Sequence, residues 1–307
     1  MTLRRGDIDI NVSGRMLITL AVLSLVSTGS LAQEIRTMAS VLDASTATDW
    51  RPLSQDLALY LTLDSGTVII ELAPEFAPEH VANIRTLVQE KYFDGLAIIR
   101  SQDNYVVQWG DPDGETDAAR DHGSASLQLA AEFYRDRSGL EFTAIQSSDS
   151  YADEVGFVND FPVGRDDERA WLTHCYGMLG VGRGNEENSG SGAELYVVTG
   201  HAPRHLDRNV TLVGRVIRGM EHLSSLPRGT GPLGFYEDPS QYVSLKSIRL
   251  GRDLPVDQQK DLELLRTDTD TFSKLVDARR FRREGWFADP TGRIGLCNVP
   301  LPVRVSR

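Results

Sequence analysis

The chain has 307 residues, of which 40% are hydrophobic and 25% are charged, as in ordinary globular proteins of one or two domains. Acidic residues outnumber basic ones by 44 to 32, and the formal net charge is -12 at pH 7. Because such a surface repels phosphate groups and anionic lipids, the composition argues against nucleic acid and membranes as partners.

An apolar run at residues 16–26 predicts export. It follows an arginine and precedes small residues, which is the pattern of a secretory signal peptide cleaved after Ala32. The run is too short to span a bilayer as a helix, which needs about 20 apolar residues. We therefore expect residues 1–32 to be a signal peptide, starting at Met1 or Met16, and the mature protein to be periplasmic or secreted.

Residues 33–56 lead into a pair of β-rich runs at residues 57–72. The runs flank Asp64-Ser65-Gly66, a tripeptide that suits a tight turn, and together they predict a hairpin. Asp-Ser-Gly is also the signature tripeptide of aspartic proteases. That alternative requires two carboxylates that share a site, and hence a second such loop or a dimer.

A helix and a buried strand are predicted next. Pro78–Glu90 has proline in its first turn and its apolar residues on one face, as amphipathic helices do. Tyr105–Trp109 is rich in β-branched and aromatic residues and stops at Gly110, which indicates a buried strand closed by a turn. Arg100 follows two isoleucines, so its guanidinium leaves an apolar surface, where an arginine is paired, functional or extended to the edge.

The stretch from Ile98 to Gly114 resembles the hallmark of the cyclophilin-type peptidyl-prolyl cis-trans isomerases, which is roughly Phe-His-Arg-Val-Ile-x-Gly-Phe-Met-x-Gln-Gly-Gly-Asp. The arginine, phenylalanine, methionine and glutamine of that hallmark correspond to Arg100, Tyr105, Val106 and Gln108. Ile99 stands where the family has its histidine. The resemblance implies that Arg100 is catalytic and that Gln108 hydrogen-bonds the substrate backbone. It also implies that Tyr105 and Val106 contact the substrate proline.

A second cluster extends the resemblance to about residues 57–251. Residues 177–183 and 194–199 resemble two strands of the family. In the second of them Glu194 replaces a glutamine, and Tyr196 replaces the phenylalanine that forms the floor of the proline pocket. The resemblance therefore implies that both residues contact the substrate.

The rim of the implied pocket departs from the family. His205 takes the place of a rim tryptophan or phenylalanine, and Val210 takes the place of a histidine. Leu206 belongs to a Leu-Asp pair that matches the family, and it is implied to contact the proline ring. Because His205 makes a weaker rim and Val210 removes a polar group, we expect turnover and substrate preference to differ from those of the family.

The resemblance implies a mainly β fold, namely a closed, eight-stranded antiparallel β-barrel capped by two helices, with a long loop insertion and a C-terminal extension. The insertion, at about residues 115–172, has few periodic signals beyond short strands around residues 140–145 and 155–158. No cofactor and no metal are implied.

Two short motifs suggest other chemistry. The glycine-rich residues 180–185 lack the third glycine of a dinucleotide site, and no Gly-Lys-Ser/Thr follows them as a phosphate loop demands. His174-Cys175 suggests a metal ligand pair, but adjacent ligands without partners at metal spacing are more often structural.

Residues 252–307 lie outside the resemblance, and we expect them to pack on the barrel. Thr271 can cap a helix that has one apolar face. The chain has two cysteines, Cys175 and Cys297, and an oxidising compartment would permit one bridge between them. We expect this bridge, because the residues after position 298 give the tail apolar side chains to bury.

Two functions remain open. The first is a monomeric prolyl isomerase that acts without a cofactor on proline-containing peptides or unfolded exported proteins, thereby assisting their folding. The second is a catalytically weak domain that binds proline-containing peptides as a chaperone or interaction module. Arg100, Gln108 and Tyr196 favour the first function. The departures at Glu194 and at the pocket rim favour the second.

Overall fold

The computed structural model of the protein describes residues 36–306, and the predicted signal peptide lies outside the described residues. The strands are β1 (Trp50–Pro52), β2 (Ala58–Leu63), β3 (Thr67–Leu72), β4 (Ala97–Ser101), β5 (Val106–Gly110), β6 (Arg135–Asp136), β7 (Thr143–Ala144), β8 (Glu154–Val158), β9 (Phe161–Arg165), β10 (Arg169–Leu172), β11 (Met178–Val181), β12 (Leu195–Val198), β13 (Leu212–Arg218), β14 (Val243–Leu250), β15 (Leu262–Leu265) and β16 (Val303–Val305). The α-helices are α1 (Met38–Asp43), α2 (Pro78–Gln89), α3 (Met220–Ser224) and α4 (Asp270–Phe281).

Eight antiparallel strands close into a barrel, and the predicted mainly β fold is confirmed. Around the barrel the strands follow the order β11, β12, β5, β4, β14, β2, β3 and β13. The hairpin predicted at residues 57–72 is formed by β2 and β3, which pair from Ala58 with Glu71 to Thr62 with Thr67. Asp64-Ser65-Gly66 occupies its turn, so the tripeptide has a structural explanation.

Alternation of side chains along the strands fills the barrel. On β2, Leu59 and Leu61 point into the barrel core, whereas Tyr60 joins an apolar cluster on the outer wall. Helix α2 packs on the core with one apolar face, in agreement with the predicted helix, and Leu223 of α3 is fully buried there. No helix within residues 36–306 is both long enough and apolar enough to cross a membrane.

The insertion is a small sheet rather than mostly loop, and the short strands predicted around residues 140–145 and 155–158 are β7 and β8. Its five short strands pair antiparallel in the order β6, β10, β9, β8 and β7. Strands β8 and β9 are joined by the two-residue turn Asn159-Asp160, whose φ angles of 46° and 67° suit the right-handed twist of a hairpin. The alternating residues Val155, Phe157 and Val163 are buried against the rest of the protein, which supplies the packing that the short strands lack by themselves.

The C-terminal extension packs on the protein through both a sheet and a helix. Strand β15 pairs with β1 on one side and with β16 on the other. Helix α4 begins one residue after its cap, Thr269, whose hydroxyl accepts a hydrogen bond from the backbone N–H of Phe272 at 3.2 Å. The predicted cap Thr271 is therefore wrong, because it already lies inside the first turn. The predicted bridge between Cys175 and Cys297 is confirmed.

Candidate active site

A cavity of about 590 Å³ opens on the outer surface of the barrel, where β4, β5 and β12 lie side by side. Seven of the eight predicted site residues line it, namely Arg100, Tyr105, Val106, Gln108, Glu194, Tyr196 and Leu206. His205 does not line the cavity. Its exposed ring lies parallel to that of Tyr105, with the ring centres 6.4 Å apart.

Strand register brings the polar residues together. Arg100 lies opposite Gln108 on the neighbouring strand, and Gln108 lies opposite Tyr196 on the next one. A bulge between Ile98 and Arg100 shifts the register of β4. Bulges re-aim side chains, and here Ile99 is buried while the guanidinium of Arg100 lies at the cavity wall.

The guanidinium of Arg100 is held from three directions. Its Nε donates to the backbone oxygen of Leu233 at 2.7 Å, one Nη donates to Oε1 of Gln108 at 3.0 Å, and the other Nη donates to Oε1 of Gln102. The ring of Phe235 lies 5.2 Å from its Cζ. Burial lowers the pKa of Arg100, but a guanidinium stays charged at any physiological pH. Since the group has five N–H donors, two remain for a ligand beyond these contacts with the described chain.

The amide of Gln108 links this guanidinium to a carboxylate. Its Nε2 donates to Oε2 of Glu194 at 2.7 Å, while its oxygen accepts from Arg100. Burial raises the pKa of Glu194, the hydrogen bond from Gln108 acts against that increase, and the carboxylates of Glu115 and Asp111 add to it. The two partners together fix which way the amide points.

An apolar floor lies beside the guanidinium. Val106, Tyr196 and Val198 form one buried cluster, against which Tyr105 and Val210 pack. The floor also explains a glycine of the motif that suggested a phosphate loop. A Cβ on Gly180 would lie 2.3 Å from Cζ of Tyr196, so only glycine leaves room for this ring.

The hydroxyl of Tyr196 points away from the cavity into a buried polar chain. It lies 2.8 Å from Nε2 of His174, whose Nδ1 lies 2.9 Å from Oδ1 of Asp207. The carboxylate can only accept, so Nδ1 carries the proton and Nε2 accepts from the tyrosine hydroxyl. Burial lowers the pKa of His174, which favours this neutral ring although Asp207 acts in the opposite direction. Arg204 donates to the second oxygen of Asp207 and closes the chain.

The hydrogen bonds of His174 argue against a metal site at His174-Cys175. Both ring nitrogens of His174 have protein partners, and the sulfur of Cys175 is bonded to Cys297. Within residues 36–306, no group of three side chains of His, Cys, Asp or Glu could hold a metal ion.

Several residues at the cavity escape sequence reasoning. Leu233 holds Arg100 through a backbone oxygen, and its φ of 56° is in the left-handed region that is uncommon for leucine. His174 and Asp207 act behind the floor; the sequence drew attention to each of them separately, but it gave no sign that they contact each other. The cavity wall also includes Asp111 and Arg183, together with residues from the start of the insertion.

Comparisons with known proteins agree with this geometry. Residues 58–249 match the family described as "Cyclophilin type peptidyl-prolyl cis-trans isomerase/CLD". A protein of Brucella suis named as a peptidyl-prolyl cis-trans isomerase is 28% identical over 177 residues, which cover 55% of this chain and 71% of the relative. A Synechocystis protein named as a thylakoid lumen peptidyl-prolyl cis-trans isomerase is 25% identical over 180 residues, which cover 55% of this chain and 43% of the relative.

Among solved structures, the cyclophilin AquaCyp293 from Hirschia baltica matches with a TM-score of 0.68 and 26% identity. The match covers 89% of this chain and 99% of that one, so the likeness extends beyond residues 58–249. The closed barrel and the cavity with its arginine wall define a cyclophilin-like protein. The chain belongs to the cyclophilin-type peptidyl-prolyl cis-trans isomerase family, because the family match spans more than half of it.

Proposed function

We propose that this protein isomerises X-Pro bonds of exported proteins, with Arg100 as the catalytic residue. The observation that supports this proposal is a guanidinium fixed by three hydrogen bonds beside an apolar floor. An apolar floor can pack against the ring of a substrate proline. The guanidinium of Arg100 can then hydrogen-bond the peptide group that precedes the proline.

The chemistry requires one differential interaction. Rotation about an X-Pro bond has a barrier of about 18–20 kcal/mol, because the nitrogen lone pair is conjugated with the carbonyl group. In the twisted transition state the lone pair is localised on nitrogen and becomes a better acceptor. An N–H of Arg100 aimed at that nitrogen therefore binds the transition state more strongly than the planar ground state, which lowers the barrier.

The neighbouring residues position the substrate. In this proposal Val106, Tyr196 and Leu206 hold the proline ring, and Tyr105 covers it from the rim. The Gln108 amide contacts the substrate backbone. The fixed orientation of Arg100 and Gln108 in the protein means that little reorganisation is needed when the substrate binds.

A second candidate function is peptide binding with little turnover. Two observations favour it. The carboxylate of Glu194 lies 2.7 Å from the Gln108 amide and draws one of its N–H groups away from a substrate. His205 is exposed and does not line the cavity, so the rim on that side is open.

Turnover of an Ala-Pro peptide in a protease-coupled assay distinguishes the two functions. Arg100→Ala in the mature chain should reduce the isomerisation rate roughly a hundredfold or more, since losing one preorganised donor to a transition state costs about 3–4 kcal/mol. Arg100→Lys should not restore the rate, because an ammonium lacks the planar fork. Arg252→Ala is a matched control, because Arg252 pairs with Asp56 on the surface and does not line the cavity.

Circular dichroism should show that all three variants are folded. A wild-type protein that binds the peptide without turnover would support the binding module instead. An active wild type that Arg100→Ala equals in rate would remove Arg100 from the mechanism.

Export is the second part of the proposal. It is supported by the apolar run before Ala32 and by the name of the Synechocystis relative, which places that protein in the thylakoid lumen. The proposed substrates are therefore proteins that fold after export, and the proposed active form is a monomer. Intact mass spectrometry of the cell-envelope fraction should give a chain that begins near residue 33. A full-length product in the cytosol would contradict this localisation.

A further inference from the structure

A second cavity, of about 190 Å³, lies where the barrel, the inserted sheet and the C-terminal extension meet. Most of its wall is apolar, and it includes Phe157, Pro162, Met178, Val216, Leu296 and Val299. The bridge between Cys175 and Cys297 forms another part of the wall. Tyr176, which is half exposed, lies at the mouth.

One charged side chain, Arg215 on β13, lines this apolar cavity. It is only 6% exposed, and its Nε is buried without a hydrogen-bond partner. Within residues 36–306, its guanidinium forms no hydrogen bond and no ion pair. Buried polar groups are nearly always hydrogen-bonded, because an unmet donor loses its hydration without compensation. A buried donor without a partner in an apolar cavity therefore indicates a site that is built for an acceptor.

The nearest carboxylates are committed to another arginine. Glu71 lies opposite Arg215 on β3, but both its oxygens accept from Arg51, at 2.7 and 2.9 Å. Asp160 accepts from Nε of Arg51 at 2.6 Å and from the backbone N–H of Thr267 at 2.9 Å. The two carboxylates balance the charge of the two arginines, which makes a buried Arg215 tolerable. They leave its hydrogen-bonding capacity unused.

We propose that this cavity binds a small carboxylate with an apolar body, such as an aromatic acid, whose carboxylate is held by Arg215. A planar guanidinium matches a carboxylate through two parallel hydrogen bonds. An apolar protein cavity of about 150 Å³ holds a benzene ring, so one of about 190 Å³ has room for a ring and a carboxylate. The apolar wall accounts for the body of the ligand, and the arginine accounts for its charge.

Calorimetric titration of the mature protein, residues 33–307 with the disulfide intact, tests the site. Benzoate should bind at one site, and benzyl alcohol, which has a similar shape and no charge, should bind at least tenfold more weakly. Acetate should also bind more weakly, because it lacks the apolar body. Arg215→Gln should weaken benzoate binding at least tenfold. Arg218→Gln is the matched control, because Arg218 lies on the same strand and is exposed.

Two further variants make the result decisive. Val299→Phe fills the cavity from the C-terminal extension and leaves Arg215 in place, so it should abolish binding even if Arg215→Gln fails to fold. Arg100→Ala should bind benzoate as the wild type does, which excludes binding at the larger cavity. The proposal is overturned if benzoate does not bind, which would mean that water satisfies Arg215. It is also overturned if benzyl alcohol binds equally well, or if Val299→Phe binds like the wild type.

Discussion

Arg100 is oriented by nearby residues of the barrel and by Leu233, which lies 133 positions away along the chain. The backbone oxygen of Leu233 and the side chain of Gln108 reach it from different strands and loops of the barrel. The amide of Gln108 in turn contacts Glu194, so a carboxylate is coupled to the guanidinium through one intervening side chain. At the scale of single residues, the cavity is a connected hydrogen-bond network, and changing any member affects the others.

We predict that Glu194→Gln stabilises the protein at neutral pH. Burial raises the pKa of Glu194 in the folded protein above its unfolded value. The ionised form therefore costs stability, and this cost grows as the pH rises from the unfolded pKa, about 4.3, and is complete above the folded pKa. Glutamine can still accept the hydrogen bond from Gln108. The melting temperature of Glu194→Gln should exceed that of the wild type at pH 7, and the two should converge below about pH 4. A difference in melting temperature that is independent of pH would contradict the idea that ionised Glu194 costs stability.

We predict that Tyr196→Phe destabilises the fold while the cavity floor stays apolar. The change leaves Nε2 of His174 as a buried acceptor without a donor, which costs about 1–3 kcal/mol. Urea denaturation should show this loss in the free energy of unfolding. The KM for an Ala-Pro peptide should change little, because the aromatic ring remains. Unchanged stability would mean that the hydrogen bond to His174 has no net value.

Elements differ in how far the sequence alone predicts them. The hallmark could place Arg100 opposite Gln108, because two strands joined by a short turn bring such positions face to face. The barrel hairpin and helix α2 have clear apolar periods, and both were predicted correctly. Of the inserted sheet only β7 and β8 were predicted, because its five strands have only two to five residues and are stabilised by packing on distant segments. Leu233 was missed because a backbone oxygen leaves no mark in the sequence.

The turn between β8 and β9 connects the inserted sheet to two other segments. Asp160 in this turn is buried, and it binds Arg51 of β1 and the backbone N–H of Thr267, which follows β15. We predict that Asp160→Ala lowers the free energy of unfolding by roughly 3 kcal/mol, because it leaves both donors unmet and strains a residue with positive φ. Chemical denaturation would measure the loss.

Asp167→Ala is the control for that measurement. Asp167 lies in the turn between β9 and β10 and is exposed. Its replacement should change stability by no more than about 0.5 kcal/mol. Equal effects of the two changes would show that the buried contacts of Asp160 have no special weight.

At the scale of the whole molecule, one disulfide bond joins residues that are 122 positions apart in the sequence. We predict that reducing the bridge between Cys175 and Cys297 lowers the free energy of unfolding by about 5 kcal/mol, since a loop of this length restricts the unfolded chain strongly. Urea denaturation with and without a reductant would measure the change. The double variant Cys175→Ser, Cys297→Ser should not respond to the reductant. A wild type that is equally stable in both conditions would contradict the prediction.

The outer wall of the barrel is apolar where the C-terminal extension covers it. Tyr60 and Ile69 on this wall form a cluster with Leu262 and Leu264 of β15. Because a chain is synthesised from its N-terminus, β2 and β3 emerge long before their cover does. A barrel that closed early would present an uncovered apolar patch, which is the kind of surface that promotes aggregation. The C-terminal extension therefore determines when this patch is covered, and a protein shortened to residues 58–249 would lose that protection.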